Sequence, residues 1–339
     1  MGNTPKMKDV AEAAGVSPMT VSRAFRKDAS VSDDTRARIL EIAQSLGYVF
    51  DATASTLRSK RTGFVAVTIP SLNNANFADT VTAMSEVLAE HGLQVLLGYT
   101  NYNMRDEEQL VENLLRRRPE ALVLTGGNHT QRTRDLLKQA EIPVVEIWDV
   151  PVNPIEHVVG FSNAQAMKLV VEHLLNKGLT QLGFLGGAAS GDTRGSDRKA
   201  GFVSAMQAKG LEPHVLSPSH GTPMSMQEGG DATIQMLSAY PQLQGFVCVS
   251  DLVAFGSLCA CQRQGLKVPQ DRAVAGFGNF EISATSHPRL TTVDVSSRII
   301  GEKTGALLAR LLVRLGRPVN SDPVCEVVQT ELIVRQSTP

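Results

Sequence analysis

Arg194 and Arg198, four residues apart in the string GDTRGSDR, point most directly at a ligand. Residues at i and i+4 share one face of a helix. Both guanidinium groups then reach a single carboxylate, and a helix N-terminus favours the same anion. The plainer alternative is a pair of solvent-facing arginines. A second set stands near the start of the chain. Ser17, Met19, Thr20, Ser22, Arg23 and Arg26 fall on the outward side of a short helix, a polar and cationic face that suits a DNA major groove. An ordinary helical hairpin packed on its own core is the alternative there. The third is Leu57 beside Arg58, Lys60 and Arg61, an apolar wedge among cations of the kind that opens a base step from the minor groove. A plain linker with one leucine reads equally well.

Covalent catalysis has no comparable support. The chain has no G-x-S-x-G, no P-loop, no H-E-x-x-H and no G-x-G-x-x-G after a strand. Its cysteines, at positions 248, 259, 261 and 325, make no C-x-x-C pair and stand with no histidine cluster. They read as buried reduced thiols, with neither metal nor cofactor implied.

The elements that position these residues begin with Met7–Arg26, MKDVAEAAGVSPMTVSRAFR. Lys8–Ala14 forms a helix with Val10, Ala11 and Ala14 inward, and Gly15 stops it. Ser17 caps a second helix with Pro18 at its first position and Val21 and Ala24 inward. Ser32 caps a third, with Asp33 and Asp34 in its first turn and Ile39, Ile42, Ala43 and Leu46 at helical spacing before Gly47. Residues 5–47 thus make a three-helix domain of marginal size. Residues 1–62 hold ten Lys and Arg against seven Asp and Glu, a basic head on a chain of net charge −1. Ala52–Lys60 is too short and too rich in Ser and Thr for an isolated helix, and orders only on a partner.

From Phe64 the pattern alternates. Strands are predicted at 64–69, 94–99, 121–126, 143–148 and 158–161, then at 181–186, 245–250 and 273–277, with helices between them. A helix starting at Ser297 and a strand-forming stretch at 325–335 close the chain. Continuous apolar strands alternating with helices mean parallel sheets covered on both faces. The restart near residue 162 implies two doubly wound lobes whose strand carboxyl ends face each other across a cleft. Gly186-Gly187 and Gly229-Gly230 read as turns. Hydrophobic residues at 42% and charged ones at 20% are an ordinary globular balance. There is no signal-peptide h-region and no apolar run of about eighteen residues. A cytoplasmic protein without membrane contact is expected.

Head, linker and body together resemble the lac-repressor (LacI/GalR) family of bacterial transcription regulators. The strings DVAEAAGVSPMTVSRAF, VSDLVAFG, VAGF and LTTV carry the resemblance. IPSLNNANFADT, HTQRT, VGFSN and CQRQGLKVP are similar to gluconate-operon repressors within it. The resemblance implies an all-α helix-turn-helix head on an α/β body, two doubly wound parallel-sheet lobes of periplasmic-binding-protein type. The divisions are 1–50 for the head, 51–62 for the hinge, 63–162 plus 292–323 for the first lobe and 163–291 plus 324–339 for the second. It places Ser17, Pro18, Met19, Ser22 and Arg23 on DNA, to which the outward helix face adds Thr20 and Arg26, with Leu57 and Arg58 in the hinge. It places the effector among Ser71, Asn76, Phe77, Thr125, His129, Arg194, Arg198, Ser250, Asp251, Gly278 and Asn279. Phe50-Asp51 stands where Pro-Asn is common, Ser55 where Arg is usual, and Gly278 where many relatives carry an Asp that grips sugar hydroxyls.

The expected protein is therefore a repressor of sugar-acid catabolism genes, nucleoid-associated, that leaves its double-stranded operator when gluconate or 2-ketogluconate binds. With no C-terminal leucine heptad, a homodimer is expected rather than a tetramer. A regulator answering to a neutral sugar or a purine is the first alternative. A non-exported sugar-binding protein or enzyme is the second, and leaves the head unexplained.

Overall fold

The computed structural model describes residues 5–25, 30–50, 61–187, 192–218, 223–313 and 322–339. The chain divides into two compact units, residues 1–62 and 63–339.

In the first unit, α1 (Met7–Ala13), α2 (Pro18–Ala24) and α3 (Asp33–Ser45) enclose a small core of Val10, Ala11, Ala14, Val21, Ala24, Ile39 and Ala43. Ser17 caps α2, its hydroxyl accepting from the Thr20 amide at 3.1 Å. The first helix ends at Gly15, which takes the left-handed conformation at φ 66°. Around the core edge the Phe25 ring stacks on Phe50 at 4.8 Å and meets Tyr48 edge-on at 6.0 Å. Such aromatic pairs add burial that the small aliphatic core lacks.

In the second unit, β1 (Phe64–Ile69), β2 (Gln94–Tyr99), β3 (Leu122–Thr125), β4 (Val144–Ile147) and β5 (His157–Gly160) form a parallel sheet. β11 (Cys325–Val327) adds to its edge, giving the order β11-β5-β4-β3-β1-β2. β6 (Leu182–Leu185), β7 (His214–Leu216), β8 (Gly245–Cys248) and β9 (Ala273–Ala275) form a second parallel sheet in the order β7-β6-β8-β9. Side-chain alternation covers both faces of the first sheet. Val65, Val67 and Val123 enter one core, and Ala66, Leu122 and Leu124 enter the other.

The helices follow the crossovers. α4 (Ala75–Glu90), α5 (Met104–Leu115) and α6 (Gln131–Ala140) belong to the first lobe, with α12 (Ser297–Val313) packed on α4. α7 (Asn163–Asn176), α8 (Thr193–Gln207), α9 (Met226–Ala239), α10 (Asp251–Arg263) and the short α11 (Glu281–Thr285) belong to the second. The chain passes between lobes after β5, around β10 (Thr292–Asp294), and between β11 and β12 (Glu331–Ile333). β10 and β12 pair antiparallel.

Three expectations need correction. The stretch 324–339 does not all belong to the second lobe, because Cys325–Val327 continues the first sheet beside Val158–Gly160. The remaining tail does return: the Val274 amide donates to the Ser337 carbonyl at 2.9 Å. Cys325 is consequently exposed on an edge strand and Cys259 half-buried, while Cys248 and Cys261 are buried as expected. Gly229-Gly230 is no turn but lies inside α9, where the absence of side chains lets α10 approach. A Cβ on Gly229 would stand 2.7 Å from the Val253 carbonyl oxygen, and one on Gly256 would overlap that of Met226. β7, β10 and α11 are too short to leave a periodic signal.

This backbone-to-backbone contact gives a test. Gly256→Ala should lower the unfolding free energy by about 3 kcal/mol, the upper range for overpacking. Gly230→Ala meets only the end of Arg263 and a carbonyl, both at 3.2 Å, and gains helix propensity, so it should be near neutral. Urea unfolding of the two variants measures the difference, and equal values would contradict the packing described.

Candidate functional site

The carboxyl ends of both sheets converge on one cleft, as open parallel sheets require. After β1, Asn74 caps α4 and brings Asn76 and Phe77 to the cleft wall. After β2, Asn101 and Tyr102 both take left-handed backbone, φ 49° and 58°. After β4, Trp148 does the same at φ 71°, a conformation that bulky residues rarely hold and that collects at ligand sites. The second lobe contributes Arg194 and Arg198 from the first turns of α8, Ser250 from the cap of α10, and Phe277–Phe280 after β9.

A pocket is lined by Asn74, Phe77, Trp148, Arg194, Arg198 and Ser250, with Phe277, Gly278 and Phe280 at its second-lobe side. A neighbouring pocket shares Arg194 and adds Tyr102, Asn103 and Thr125. Arg194 is buried, 3.5 Å from Asp192, with its guanidinium carbon 5.2 Å from the Phe77 ring and 5.9 Å from that of Tyr102. Arg198 lies 3.9 Å over the Phe277 ring. Its Nε donates to Asn163 Oδ1 at 2.9 Å and its Nη1 to the Val249 carbonyl at 3.0 Å. Burial lowers its pKa to about 10, still a cation at neutral pH. Burial raises the carboxyls of Asp149 and Asp197 above the ordinary range, the latter also through its neighbours Asp149 and Asp192. Burial likewise raises the Tyr102 phenol.

Hydrogen bonds tie the two walls. Asn76 Nδ2 donates to the Gly278 carbonyl at 2.8 Å. Gly278 has φ 121°, and a Cβ there would stand 2.7 Å from the Phe280 ring, so its glycine is a requirement of the loop rather than a mere loss of Asp.

Not all expected effector residues reach the pocket. Asp251 is fully buried, accepting from the Phe280 amide at 2.7 Å and the Thr292 hydroxyl at 2.6 Å, with burial raising its pKa to about 6. It pins the Phe280 loop to β10. Asn279 turns away, its Oδ1 accepting from Arg335 at 2.7 Å. His129 has spent both ring nitrogens, on Glu107 at 2.7 Å and on the Gly126 carbonyl at 3.1 Å, with Glu146 at 3.3 Å. Ser71 closes its own loop by accepting from the Asn73 amide at 3.1 Å. Thr125 lines the neighbouring pocket while donating to the Thr68 carbonyl at 2.8 Å. Trp148, Tyr102 and Asn74 are pocket residues that spacing alone missed. Their common signal is a place in the loop after a strand's carboxyl end: Trp148 follows β4 directly, and Tyr102 and Asn74 lie in the loops after β2 and β1.

On the head, Ser17, Pro18, Met19 and Arg23 are exposed along α2, and Thr20 is half-buried beside Ser17. Ser22 is buried, against expectation, because it stands a quarter turn from Val21 on the shoulder of the inward face. Arg26, Leu57 and Arg58 lie outside the described residues. Among the described residues no group of three or more His, Cys, Asp or Glu is placed to hold a metal ion, and no helix is long and apolar enough to cross a membrane.

Residues 6–51 match the family model of bacterial regulatory proteins, lacI family, and residues 171–338 match that of a periplasmic binding protein-like domain. Over 334 residues the chain is 35% identical to the HTH-type transcriptional regulator GntR of Pseudomonas aeruginosa, spanning 98% of this chain and 96% of that one. A solved LacI-family transcriptional regulator from Silicibacter pomeroyi is 33% identical with a TM-score of 0.90, covering 98% of this chain and 99% of that one. The lac repressor dimer bound to operator and the anti-inducer ONPF gives a TM-score of 0.83 at 25% identity, covering 99% of each chain.

The buried histidine sets a pH dependence. Burial opposes the charge of His129, but the hydrogen bond to Glu107 and the neighbouring Glu146 carboxylate at 3.3 Å outweigh it and raise the pKa to about 9. Because the folded value lies above the ordinary one, its stabilisation is complete below about pH 6.5 and is lost as pH passes 9. The stability gap between wild type and His129→Gln should therefore narrow by roughly a few kcal/mol from pH 7 to pH 10, read by urea unfolding at each pH. A constant gap would mean that the imidazole is neutral in the fold.

Proposed function

The chain belongs to the lacI family of bacterial regulatory proteins, and from that premise we propose a transcriptional repressor released from its operator by a small sugar acid, gluconate or 2-ketogluconate, bound in the cleft. The relatives are DNA-binding transcriptional regulators, and this chain is read as one of them rather than as an enzyme. The observation that carries the effector class is the pair of arginines at the start of α8. Both lie in a cleft lined by Phe77, Trp148, Phe277 and Phe280, where little water screens a positive charge. A carboxylate gives such a charge a partner, and the polar groups of Asn74 and Ser250 suit the hydroxyls that follow it.

The exposed side of α2 reads the major groove through Ser17, Pro18, Met19, Thr20 and Arg23, and Arg26 contacts the same DNA. Leu57 opens a minor-groove step while Arg58 holds phosphate. Ser22 supports the helix from its buried shoulder. A homodimer presents two heads to a roughly palindromic site in the cytoplasm; the lac repressor structure that this chain resembles is likewise a dimer bound to operator. Effector bound between the lobes favours a lobe arrangement in which the two hinges no longer meet, and operator affinity falls. It does so only through unequal affinity for the two states. A planar purine is the second reading, favoured by the aromatic walls and disfavoured by the buried cations.

The test uses a site selected from random DNA by the purified protein, followed by fluorescence anisotropy. Arg23→Ala should weaken binding to that site at least about tenfold, and wild-type affinity should fall steeply with salt. Gluconate or 2-ketogluconate should release the wild-type complex where glucose and hypoxanthine do not. Release by glucose or hypoxanthine, with neither acid active, would overturn the effector class. Failure to select any site would overturn the repressor.

A further inference from the structure

The two arginines do different work, although their spacing alone would have both meet one carboxylate. Two N–H groups of Arg198 are engaged within the protein: Nε reaches Asn163 Oδ1 and Nη1 reaches the Val249 carbonyl. Asn163 in turn donates from Nδ2 to the Trp148 carbonyl at 3.1 Å. Arg198 therefore acts through Asn163 on the left-handed backbone of Trp148, across from the second lobe to the first.

Arg194 is in the opposite condition. Its side chain is 6% exposed, Asp192 at 3.5 Å is a weak partner, and Nη1 is buried without any hydrogen-bond acceptor. Phe77 and Tyr102 engage its flat surface, and the N–H groups at its edge are the part a ligand meets. The Trp148 indole shares the same pocket and the same deficiency: its Nε1 is buried with no acceptor. The ring cannot turn freely, being packed edge-on against Phe77 at 5.2 Å and Phe161 at 5.9 Å. A buried donor without an acceptor costs about 1–3 kcal/mol. Two of them fixed on one pocket define where ligand oxygens go.

Resting on the effector reading above, we propose that Arg194 alone seats the ligand's carboxylate, that Trp148 Nε1 donates to a second ligand oxygen, and that Arg198 is a positioning residue that holds Trp148 through Asn163. Trp148 thus becomes a specificity residue: it selects acids with an oxygen within reach of the indole. It is also the only tryptophan of the chain, so its fluorescence reports occupancy of the pocket directly.

The experiment uses the full-length protein with D-gluconate and D-gluconamide, which replaces the carboxylate by an uncharged amide. Binding is followed by Trp148 fluorescence and by calorimetry, with folding checked by thermal unfolding. Wild type should prefer the acid by about 100-fold, the worth of one good charge-assisted pair. Arg194→Gln should shrink that preference to within about threefold, and Arg194→Lys should restore most of it at lower affinity. Arg198→Gln should weaken both ligands by the same factor and leave the preference standing. Trp148→Phe keeps an aromatic ring without its N–H and should weaken both ligands about tenfold by calorimetry. An Arg194→Gln protein that still prefers the acid, an Arg198→Gln protein that does not, or a Trp148→Phe protein that binds as wild type does would each overturn the assignment while leaving the effector reading intact. A wild type that binds glucose or hypoxanthine but neither gluconate nor gluconamide would overturn both.

Discussion

Arg194 carries a positive charge to a place that water barely reaches, and much of the cleft is arranged around that fact. A buried cation is tolerated only when opposite charge, ring faces or hydrogen-bond acceptors surround it. Here Asp192 stands close by, Phe77 and Tyr102 offer their rings, and one nitrogen is left unmatched. Tyr102 is presented by two successive residues in left-handed conformation, and Phe77 by a helix capped at Asn74. Both aromatic contacts come from the first lobe, whereas Arg194 belongs to the second. The same charge that disfavours an empty pocket draws the lobes toward one another.

That coupling is reinforced by hydrogen bonds that cross between lobes. Asn76 of α4 holds the Gly278 carbonyl, and the loop carrying Gly278 is held from behind. Asp251 accepts from the Phe280 amide and from Thr292, Thr292 accepts from the Asn279 amide, and Arg335 of the returning tail grips the Asn279 side chain. The crossing strands β10 and β12 thereby lie within one hydrogen-bond network with the pocket wall.

Much of this architecture was readable in the sequence, and the failures have a common cause. Phe64–Ile69 and Gln94–Tyr99 are legible to the residue because each is a short apolar run set between helical stretches. Ser17 was readable as a cap because its role is local. Whatever depends on distant partners was not. His129 aligned with a ligand position, yet nothing in HTQRT announces that Glu107 and Glu146 claim its nitrogens. Gly229 and Gly230 resemble a turn until α10 is placed against them. Cys325–Val327 chose the first sheet because β5 offered an open edge. Trp148 reads as the last residue of the predicted strand 143–148, and only the structure ends that strand at Ile147 and turns Trp148 into the pocket wall. Its unpaired nitrogen appears only when the walls of the pocket are assembled.

The central claim is that ligand in the cleft and operator on the head oppose each other energetically. Reciprocity makes this measurable from the ligand side. Calorimetric titration of gluconate into the free protein and into its preformed complex with a selected operator gives two affinities. The account predicts that gluconate binds the free protein more tightly by at least about tenfold, the same factor by which gluconate weakens the operator complex. Equal gluconate affinity in the two titrations would contradict it.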